Sequence, residues 1–504
     1  MLIKETSENS PLLQSYESYH STDHILQPPL ASSTSSATSA DTTTPCGRQL
    51  RNLILNITVE PVLFLHAMSF AVASVFYTNM MVDKVCTLQL NYSANICDHL
   101  DSGDHEEEQN AVQKITNVYQ LYCSWIQSSL GIFAMVLLGA WSDTKGRKVP
   151  LLVPLIGDSL KALLLLANAY FWYWQPCYII LAYIPYGLGG NWMAIFMAAY
   201  AYVGNHSGNR SRTTRLSLAG LMAYAAWPMG HFTGTVLYMK GGYVLVFGAQ
   251  LIFSIVTVIY TLLRFDSGPP PKREGEEEGE GDARREKKLT LEKVKTSLTV
   301  VFKPREGYLR AHIIAHVICI WVTVISYEGS AFTYLYTRKK FGWNYYDYTI
   351  WSIVGTPISF LASCVILPIL SYYFQLEDSL LGFIGSASHI FYGTIVGTAP
   401  YPWMLYLGLV VSSFSGMVIT SSRGAISKLV RSNELGGVFT TIALGEAFSP
   451  IVVAPVFTLI YNSTLETFPG AVFIVGSVFA VVVSCLYTWI LTSGQETTSR
   501  SSVP

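Results

Sequence analysis

The chain has 504 residues, of which 51% are hydrophobic and only 13% are charged, with 32 lysine and arginine residues against 33 aspartate and glutamate residues. A soluble protein carries roughly a quarter charged residues, whereas here the apolar residues fall in repeated runs of about 20. The composition therefore predicts a polytopic membrane protein and not a series of soluble domains. The net charge of −1 excludes a nucleic-acid binder driven by bulk positive charge, because such binding needs clustered lysine and arginine.

Residues 1–56 are expected to form a disordered cytoplasmic tail, because they are polar, rich in serine and threonine, and lack the pattern of a cleavable signal peptide. Glu8, Leu12 and Leu13 form an acidic dileucine pattern of the kind that clathrin adaptors read for endolysosomal sorting. A chance match is the alternative for so short a pattern. The tail thus suggests a clathrin adaptor as a partner.

Apolar windows predict twelve membrane-spanning helices, and hence an all-α membrane protein. The predicted spans are 58–81, 115–139, 150–171, 177–202, 216–238, 243–263, 309–332, 348–370, 379–399, 402–422, 437–461 and 470–492. If the N-terminus is cytoplasmic, 25 of the 32 lysine and arginine residues lie on the cytoplasmic side, as short cytoplasmic loops require. Both termini are therefore predicted to be cytoplasmic.

The segment 265–307 is a hydrophilic linker that divides the twelve helices into two sets of six, residues 57–264 and 308–492, with a second cytoplasmic tail at 493–504. A carrier whose two pseudo-symmetric halves rock about a site between them needs such a hinge. A solvated spacer without a role describes the linker equally well.

Cys86 and Cys97 lie in the first polar loop, beside the glycosylation sequon at Asn91. If that loop is extracytoplasmic, a disulfide and a glycan are both allowed there, and the sequence leaves the disulfide open. Asn462 carries a second sequon on the same predicted side. The eight cysteines contain no C-x-x-C pair, so neither a metal nor another cofactor is expected.

The loop after the second span reads Gly139-Ala-Trp-Ser-Asp143-Thr-Lys-Gly146-Arg147-Lys148. Gly139 would allow close helix packing and Gly146 a tight turn. The pattern resembles the signature G-x-x-x-D-x-x-G-R-[KR] of the major facilitator superfamily, in the loop where that family carries it. The resemblance implies a gating role for Gly139, Asp143, Gly146, Arg147 and Lys148, because the motif locks the cytoplasmic gate in that family.

Several further segments resemble solute carrier family 46, the proton-coupled folate transporter family, and its invertebrate members in particular. They are Val59-Glu60-Pro61, Arg210 to Arg215, Tyr334 to Arg338 with Phe341 and Trp343, Ser427 to Val430, and Gly437-Val438-Phe439. The resemblance implies carriage of folates, muramyl peptides or related amphipathic anions, and it places Arg423 at an arginine implicated in folate carriage. Gly220 stands where the folate carrier has a glutamate and Ser326 where it has a histidine, which weakens a folate assignment.

Titratable groups inside the bilayer are costly and are therefore functional candidates. Glu328 and Glu446, the latter with no cation nearby in the sequence, are the candidate proton-coupling carboxylates, with His316 as a candidate histidine. A structural hydrogen bond or a packed histidine is the alternative for each. Asp158 and Lys161, three residues apart on one helix face, are expected to form an internal ion pair.

Four residues on helices that line the cavity of such a fold are candidates for substrate binding. They are Tyr186, His231, Tyr327 and Arg423. Aromatic rings there could stack on a planar solute, although such stripes are more often core or lipid contacts.

The sequence thus predicts a secondary active transporter of an organic anion, coupled to protons and working by alternating access, in the plasma membrane or an endolysosomal membrane. Its partners would be the anion, protons and the lipid bilayer. A transport-inactive receptor or scaffold of the same fold is the alternative. A polytopic enzyme is disfavoured, because no histidine–aspartate or paired-aspartate constellation is present.

Overall fold

The computed structural model describes residues 58–101, 103–205, 209–265, 300–305, 307–430 and 434–501. The tail that contains Glu8, Leu12 and Leu13 lies outside the described residues, as do the side chains of Asp143 and Lys145 inside a helix. The described residues from Thr58 onward belong to one compact unit, and their regular secondary structure is helical.

The first six helices follow the predicted spans. They are α1 (Glu60–Lys84), α2 (Glu106–Lys145), α3 (Lys148–Tyr170), α4 in three pieces (Tyr178–Leu181, Tyr183–Leu188 and Asn191–Asn205), and α5 and α6, which together make one helical segment (Asn209–Arg264).

The last six helices contain more interruptions. They are α7 (Leu309–Tyr327, then a 3₁₀ turn Glu328–Phe332 and Thr333–Phe341), α8 (Tyr345–Leu361), α9 (Asp378–Thr398), α10 (Trp403–Ser412 and Met417–Leu429), α11 (Leu435–Thr464) and α12 (Ala471–Ser501). Helix α12 extends through most of the predicted C-terminal tail.

Eleven helical segments of the described chain are long and apolar enough to cross a membrane, and one of them, Leu218–Arg264, has 47 residues. At 1.5 Å per residue it would be about 70 Å long, twice the roughly 30 Å of a bilayer's hydrocarbon core. The segment breaks at Gly241 and Gly242, and Gly242 has φ +65° and ψ −155°, a conformation that glycine adopts without strain. The break separates α5 (209–240) from α6 (243–264), so the described chain makes the twelve predicted crossings.

The two ends of the helix bundle are named here by their landmarks. The disulfide end carries the bond between Cys86 and Cys97, which the sequence left open. The linker end carries the turn at Gly146 and the segment 300–305 that leads into α7. The odd-numbered helices run from the linker end to the disulfide end, and the even-numbered helices return.

Within the first six helices, α1 packs along α5 and α6, α3 packs on α6, and α2 packs on α4. Within the last six, α9 and α7 both pack on α12, and α10 packs on α7 and α9. The two sets meet mainly where α2 contacts α11 and α5 contacts α8. This arrangement leaves a space between the sets, which holds the candidate site.

Candidate functional site

A cavity of about 950 Å³ lies between the two sets of helices, and is called the central cavity. Its wall is formed by α2, α4, α5, α7, α10 and α11. Aromatic residues provide much of the wall: Trp192, Phe196, Tyr200, Tyr224, Trp227 and Tyr327. A mostly apolar cavity with a few placed polar groups is typical of a site for a small organic molecule.

The central cavity contains an ion pair between Arg423 of α10 and Glu446 of α11. The guanidinium Nη2 donates to the Glu446 Oε1 atom at 2.6 Å. The side chain of Arg423 is 45% exposed and that of Glu446 is 19% exposed, so the arginine faces the cavity more openly. The sequence showed no partner for Glu446 because the two residues are 23 positions apart, on different helices.

Glu328 also lines the central cavity, at the point where α7 changes to its 3₁₀ turn. Within the described part of the chain, its carboxylate has no hydrogen-bond or ion-pair partner. The next residue, Gly329, allows α7 to pack closely against α12. A Cβ at position 329 would lie only 3.0 Å from the carbonyl oxygen of Val472 in α12. The cavity therefore holds one paired and one unpaired carboxylate.

Polar contacts join the two sets at the disulfide end. The hydrogen bonds and ion pairs there are Asn79 to Tyr334 (2.6 Å), Asn117 to Asn462 (2.7 Å), Gln113 to Tyr461 (3.0 Å), Lys114 to Glu466 (2.6 Å), Glu106 to Lys339 (2.6 Å) and Asp101 to Arg338. The hydrogen bonds of Asn79, Gln113 and Asn117 in this network are buried or partly buried, and they close the central cavity toward the disulfide end.

At the linker end, the loop with the signature pattern adopts the predicted turn. Gly146 has φ +106°, which favours glycine. Arg147 donates from Nη1 to the Ser142 hydroxyl at 2.5 Å, and Lys148 Nζ donates to the Leu262 carbonyl at 2.9 Å, at the C-terminal end of α6. The close packing expected at Gly139 is absent in this conformation, because a Cβ there would have no neighbour within 4 Å.

Of the four predicted substrate-binding residues, Arg423 and Tyr327 line the central cavity. Tyr327 is held by a hydrogen bond from its hydroxyl to the Ser415 carbonyl at 2.9 Å. Tyr186 and His231 do not line this cavity. His231 is buried in α5 against α1, with Nε2 3.2 Å from the Ser74 hydroxyl, and Tyr186 faces a second, smaller pocket.

The predicted proton-coupling histidine, His316, also lies away from the central cavity. It is buried between α7 and α10, with Nδ1 3.4 Å from the Ser422 hydroxyl and its ring edge-on to Tyr487. A different histidine, His389 of α9, places Nε2 3.3 Å from the Ser326 carbonyl and its ring against Tyr327. It therefore lies behind the wall of the central cavity.

Asp158 and Lys161 do not form the expected ion pair. Asp158 instead contacts His66 of α1, with 3.3 Å between Oδ2 and Nδ1, and both side chains are buried. The Lys161 ammonium faces aromatic rings. The prediction was wrong because spacing on one helix cannot show which groups a neighbouring helix presents. His66 was not predicted as the partner, and no local pattern marks it.

The two predicted glycosylation sequons differ in their surroundings. Asn91 is exposed at the disulfide end, with φ +52°. Asn462 lies within α11, where Oδ1 accepts a hydrogen bond from Asn117 and Nδ2 donates to the Lys114 carbonyl at 3.3 Å. A glycan on Asn462 would have to break these bonds between the helix sets.

Residues 61–388, well over half of the chain, match the family model described as Major Facilitator Superfamily. Over 429 residues the chain is 24% identical to the probable peptidoglycan muropeptide transporter SLC46 of Drosophila melanogaster, covering 82% of this chain and 81% of that protein. It is 24% identical to the proton-coupled folate transporter of Bos taurus, covering 85% and 90%. It is 22% identical to the lysosomal proton-coupled steroid conjugate and bile acid symporter SLC46A3 of Gallus gallus, covering 86% and 93%.

Solved structures with the same fold include the human organic anion transporter MFSD10 (TETRAN), with a TM-score of 0.59 at 13% identity, covering 88% of this chain and all of that one. The POT family transporter PepTSo also has a TM-score of 0.59, at 12% identity, covering 88% and 98%. With its twelve crossings, loop signature and family match, the chain belongs to the major facilitator superfamily, and the relatives that it matches over most of its length are members of solute carrier family 46.

Proposed function

We propose that this protein is a secondary active transporter that moves an amphipathic organic anion together with protons by alternating access. The observation that carries the proposal is the central cavity, in which Arg423, Glu446 and Glu328 lie among aromatic rings between two sets of helices. Arg423 can bind the anionic group of a substrate, and the aromatic rings can contact its apolar part. Glu446 and Glu328 can accept protons. In a carrier, the site lies between two bodies that move relative to each other.

The substrate class follows from the cavity and from what the relatives carry. Their names give folate, steroid conjugates and bile acids, and muropeptides. The aromatic wall and Arg423 suit amphipathic organic anions. Folate itself is disfavoured, because Gly220 leaves the cavity wall without a carboxylate at that point: a Cβ there would have only the Tyr200 hydroxyl near it, at 3.7 Å.

Arg423 and Glu446 could link the anion to the proton. While the two residues are paired, Arg423 neutralises the Glu446 carboxylate. A substrate anion that bound Arg423 would compete for the guanidinium and leave Glu446 free to accept a proton, since an uncompensated charge is costly in a membrane protein. Glu328, which has no partner in the described chain, is the second candidate proton carrier. His316, buried away from the cavity, would act only indirectly.

In the proposed orientation, the linker end and both termini face the cytosol. The distribution of lysine and arginine supports it. In this orientation the conformation described here is closed toward the outside or the organelle lumen, and Asn91 is available for glycosylation. Gly139, Asp143, Gly146, Arg147 and Lys148 would form the gate at the cytosolic end. The dileucine pattern would deliver the protein to endolysosomes through a clathrin adaptor.

Uptake by the purified protein in proteoliposomes tests the proposal. Folates, muramyl peptides and conjugated steroids would be offered with an acidic or a neutral exterior and the same interior. We expect faster uptake of at least one anion from the acidic side, and loss of this effect when a protonophore collapses the gradient. Substrate binding without uptake would instead favour a receptor of the same fold, and no pH effect with any transported anion would contradict proton coupling.

A further inference from the structure

A second pocket, of about 130 Å³, lies inside the first six helices beside Lys161 of α3, and is called the Lys161 pocket. The Lys161 side chain is almost fully buried, with 5% exposure. Its ammonium lies 4.1 Å from the ring centre of Tyr186, 5.1 Å from that of Phe70 and 5.2 Å from that of Tyr183. Three aromatic faces thus surround one cation.

This cation is not satisfied by the protein groups around it. Asp158, the carboxylate nearest in sequence, contacts His66 instead. In the described part of the chain, the Lys161 ammonium makes no hydrogen bond and no ion pair. A buried charge normally has a hydrogen-bonded partner of opposite charge. No carboxylate is among the residues that line the pocket.

A second polar group belongs to a residue that lines the same pocket. The hydroxyl of Tyr186, a residue with 1% exposure, has no partner at hydrogen-bonding geometry among the described residues. Buried hydroxyl groups are nearly always hydrogen-bonded. The ammonium and this hydroxyl are both donors on residues of one pocket, and a carboxylate can accept from both groups.

The Lys161 pocket adjoins the central cavity, because Gln127 and Trp192 line both of them. A cavity of roughly 150 Å³ can hold a benzene ring, so the smaller pocket has room for a carboxylate and a few more atoms. The body of a larger molecule would extend past Trp192 into the central cavity.

We propose that the Lys161 pocket binds the carboxylate of the substrate, with Lys161 and Tyr186 as its donors. This inference rests on the proposed transport function and adds to it an anion site in the first six helices, in addition to Arg423 in the last six. A substrate that contacts both would bridge the two bodies. The preferred substrates are then amphipathic carboxylates with an aromatic or apolar body.

Thermal unfolding of the full-length purified protein in detergent tests this site without transport. The probes are benzoate and benzamide, which have nearly the same shape but differ in charge, at constant ionic strength. We expect benzoate to raise the unfolding midpoint more than benzamide does. Arg423→Gln, which removes the other proposed anion site, should retain this difference, and adding Lys161→Gln to that variant should abolish it.

Tyr186→Phe serves as the milder variant, since it keeps the ring beside the ammonium and removes only the hydroxyl. We expect about tenfold weaker benzoate binding, as for loss of one hydrogen bond to a charged group. If Lys161→Gln yields no folded protein, Tyr186→Phe tests the proposal instead. Benzoate affinity equal to that of the wild type in Tyr186→Phe would then overturn the proposal. A benzoate effect that survives in the Arg423→Gln and Lys161→Gln double variant, or no difference between the probes in the wild type, also overturns it.

The two proposals fail in different ways. Benzoate binding that depends on Lys161, without uptake of any anion, contradicts the transporter and supports the anion site. Uptake that depends on protons, without a charge-dependent effect of benzoate, contradicts the anion site alone.

Discussion

The 2.6 Å contact between Arg423 and Glu446 is an ion pair in the wall of the central cavity. Removing one member of this pair leaves the other charge without its partner inside a membrane protein, where charged groups are costly. Glutamine at position 446 retains an acceptor for the guanidinium but cannot take up a proton at any physiological pH. This substitution therefore removes protonation at position 446 while it keeps a hydrogen bond to the Arg423 guanidinium.

We predict that Glu446→Gln abolishes the acceleration of uptake by an acidic exterior. The variant should transport at one slow rate, about tenfold or more below the wild-type rate at acidic pH, as for loss of a general proton-transfer group. Initial uptake rates over a pH series in proteoliposomes measure this. Glu107→Gln, an exposed carboxylate on α2, is the matched control and should behave as wild type. A full pH response in Glu446→Gln would exclude this residue and leave Glu328 as the candidate.

At the scale of elements, α5 and α1 approach closely along a face of α5 with glycines four residues apart. A Cβ on Gly234 would lie 2.2 Å from the Val72 carbonyl oxygen, and one on Gly230 would lie 2.5 Å from the Ala71 Cβ. Small residues at such spacing let membrane helices pack closely. Because the opposing atom at Gly234 belongs to the backbone, it cannot move aside cheaply.

Gly234→Ala should therefore destabilise the protein by about 1–3 kcal/mol, the usual cost of overpacking. Gly248→Ala on α6 is the control, since a Cβ there meets nothing within 4 Å, and alanine favours a helix over glycine by about 1 kcal/mol. Thermal unfolding in detergent should show a lower midpoint for the first variant and an equal or higher one for the second. Equal midpoints for Gly234→Ala and wild type would contradict the close approach of α1 and α5.

Two ion pairs at the linker end connect the segment before α7 to the start of α11. Lys303 and Arg305 donate to the two carboxylate oxygens of Glu434 at 2.5 and 2.9 Å. These hydrogen bonds hold the pKa of Glu434 below its ordinary value. A carboxyl whose pKa is lower in the folded state stabilises the fold above its unfolded pKa, about 4.3, and this contribution is lost as pH falls through the folded pKa.

Glu434→Gln should therefore unfold at a lower temperature than wild type at neutral pH, and the two should converge once the pH falls below the lowered pKa of the folded state, where the wild-type carboxyl is also protonated. Unfolding midpoints across a pH series measure the difference. Glu377→Gln, an exposed acid at the same end, should match the wild type throughout. A difference that persisted unchanged at acidic pH would show that Glu434 acts through packing and not through its charge.

At the scale of the whole molecule, the contacts at the disulfide end hold one side of the central cavity shut. Asn117 of α2 and Asn462 of α11 meet in this closure, with 2.7 Å between the donor nitrogen and the acceptor oxygen. In an alternating-access cycle this closure must open. A covalent link across it should therefore stop transport without affecting the fold.

We predict that the double variant Asn117→Cys with Asn462→Cys loses uptake when a short bis-methanethiosulfonate joins the two thiols through disulfide bonds, and recovers it when a reductant cleaves those bonds. The control is Ser386→Cys with Ser484→Cys, whose hydroxyl oxygens lie 2.7 Å apart on α9 and α12 within one helix set. Its cross-link should leave uptake largely intact. Uptake that continues through a complete 117–462 cross-link would contradict opening at the disulfide end.

The twelve crossings, the break between α5 and α6 and the turn at Gly146 followed from the sequence alone. Each depends on a local property: the length of an apolar run against the bilayer, or the backbone freedom of a glycine. The pairing of Arg423 with Glu446, the contact of Asp158 with His66 and the aromatic surroundings of Lys161 did not follow.

The physical reason is that different properties of a membrane helix depend on different lengths of chain. Local patterns in a membrane helix determine that it spans, but its rotation and its neighbours depend on packing against other helices along its whole length. Sequence by itself therefore determined the architecture, the charge asymmetry and the set of rare charges within the membrane. Only the tertiary structure decided which of those charges neutralise each other, which face the central cavity, and which, like Lys161, face aromatic rings.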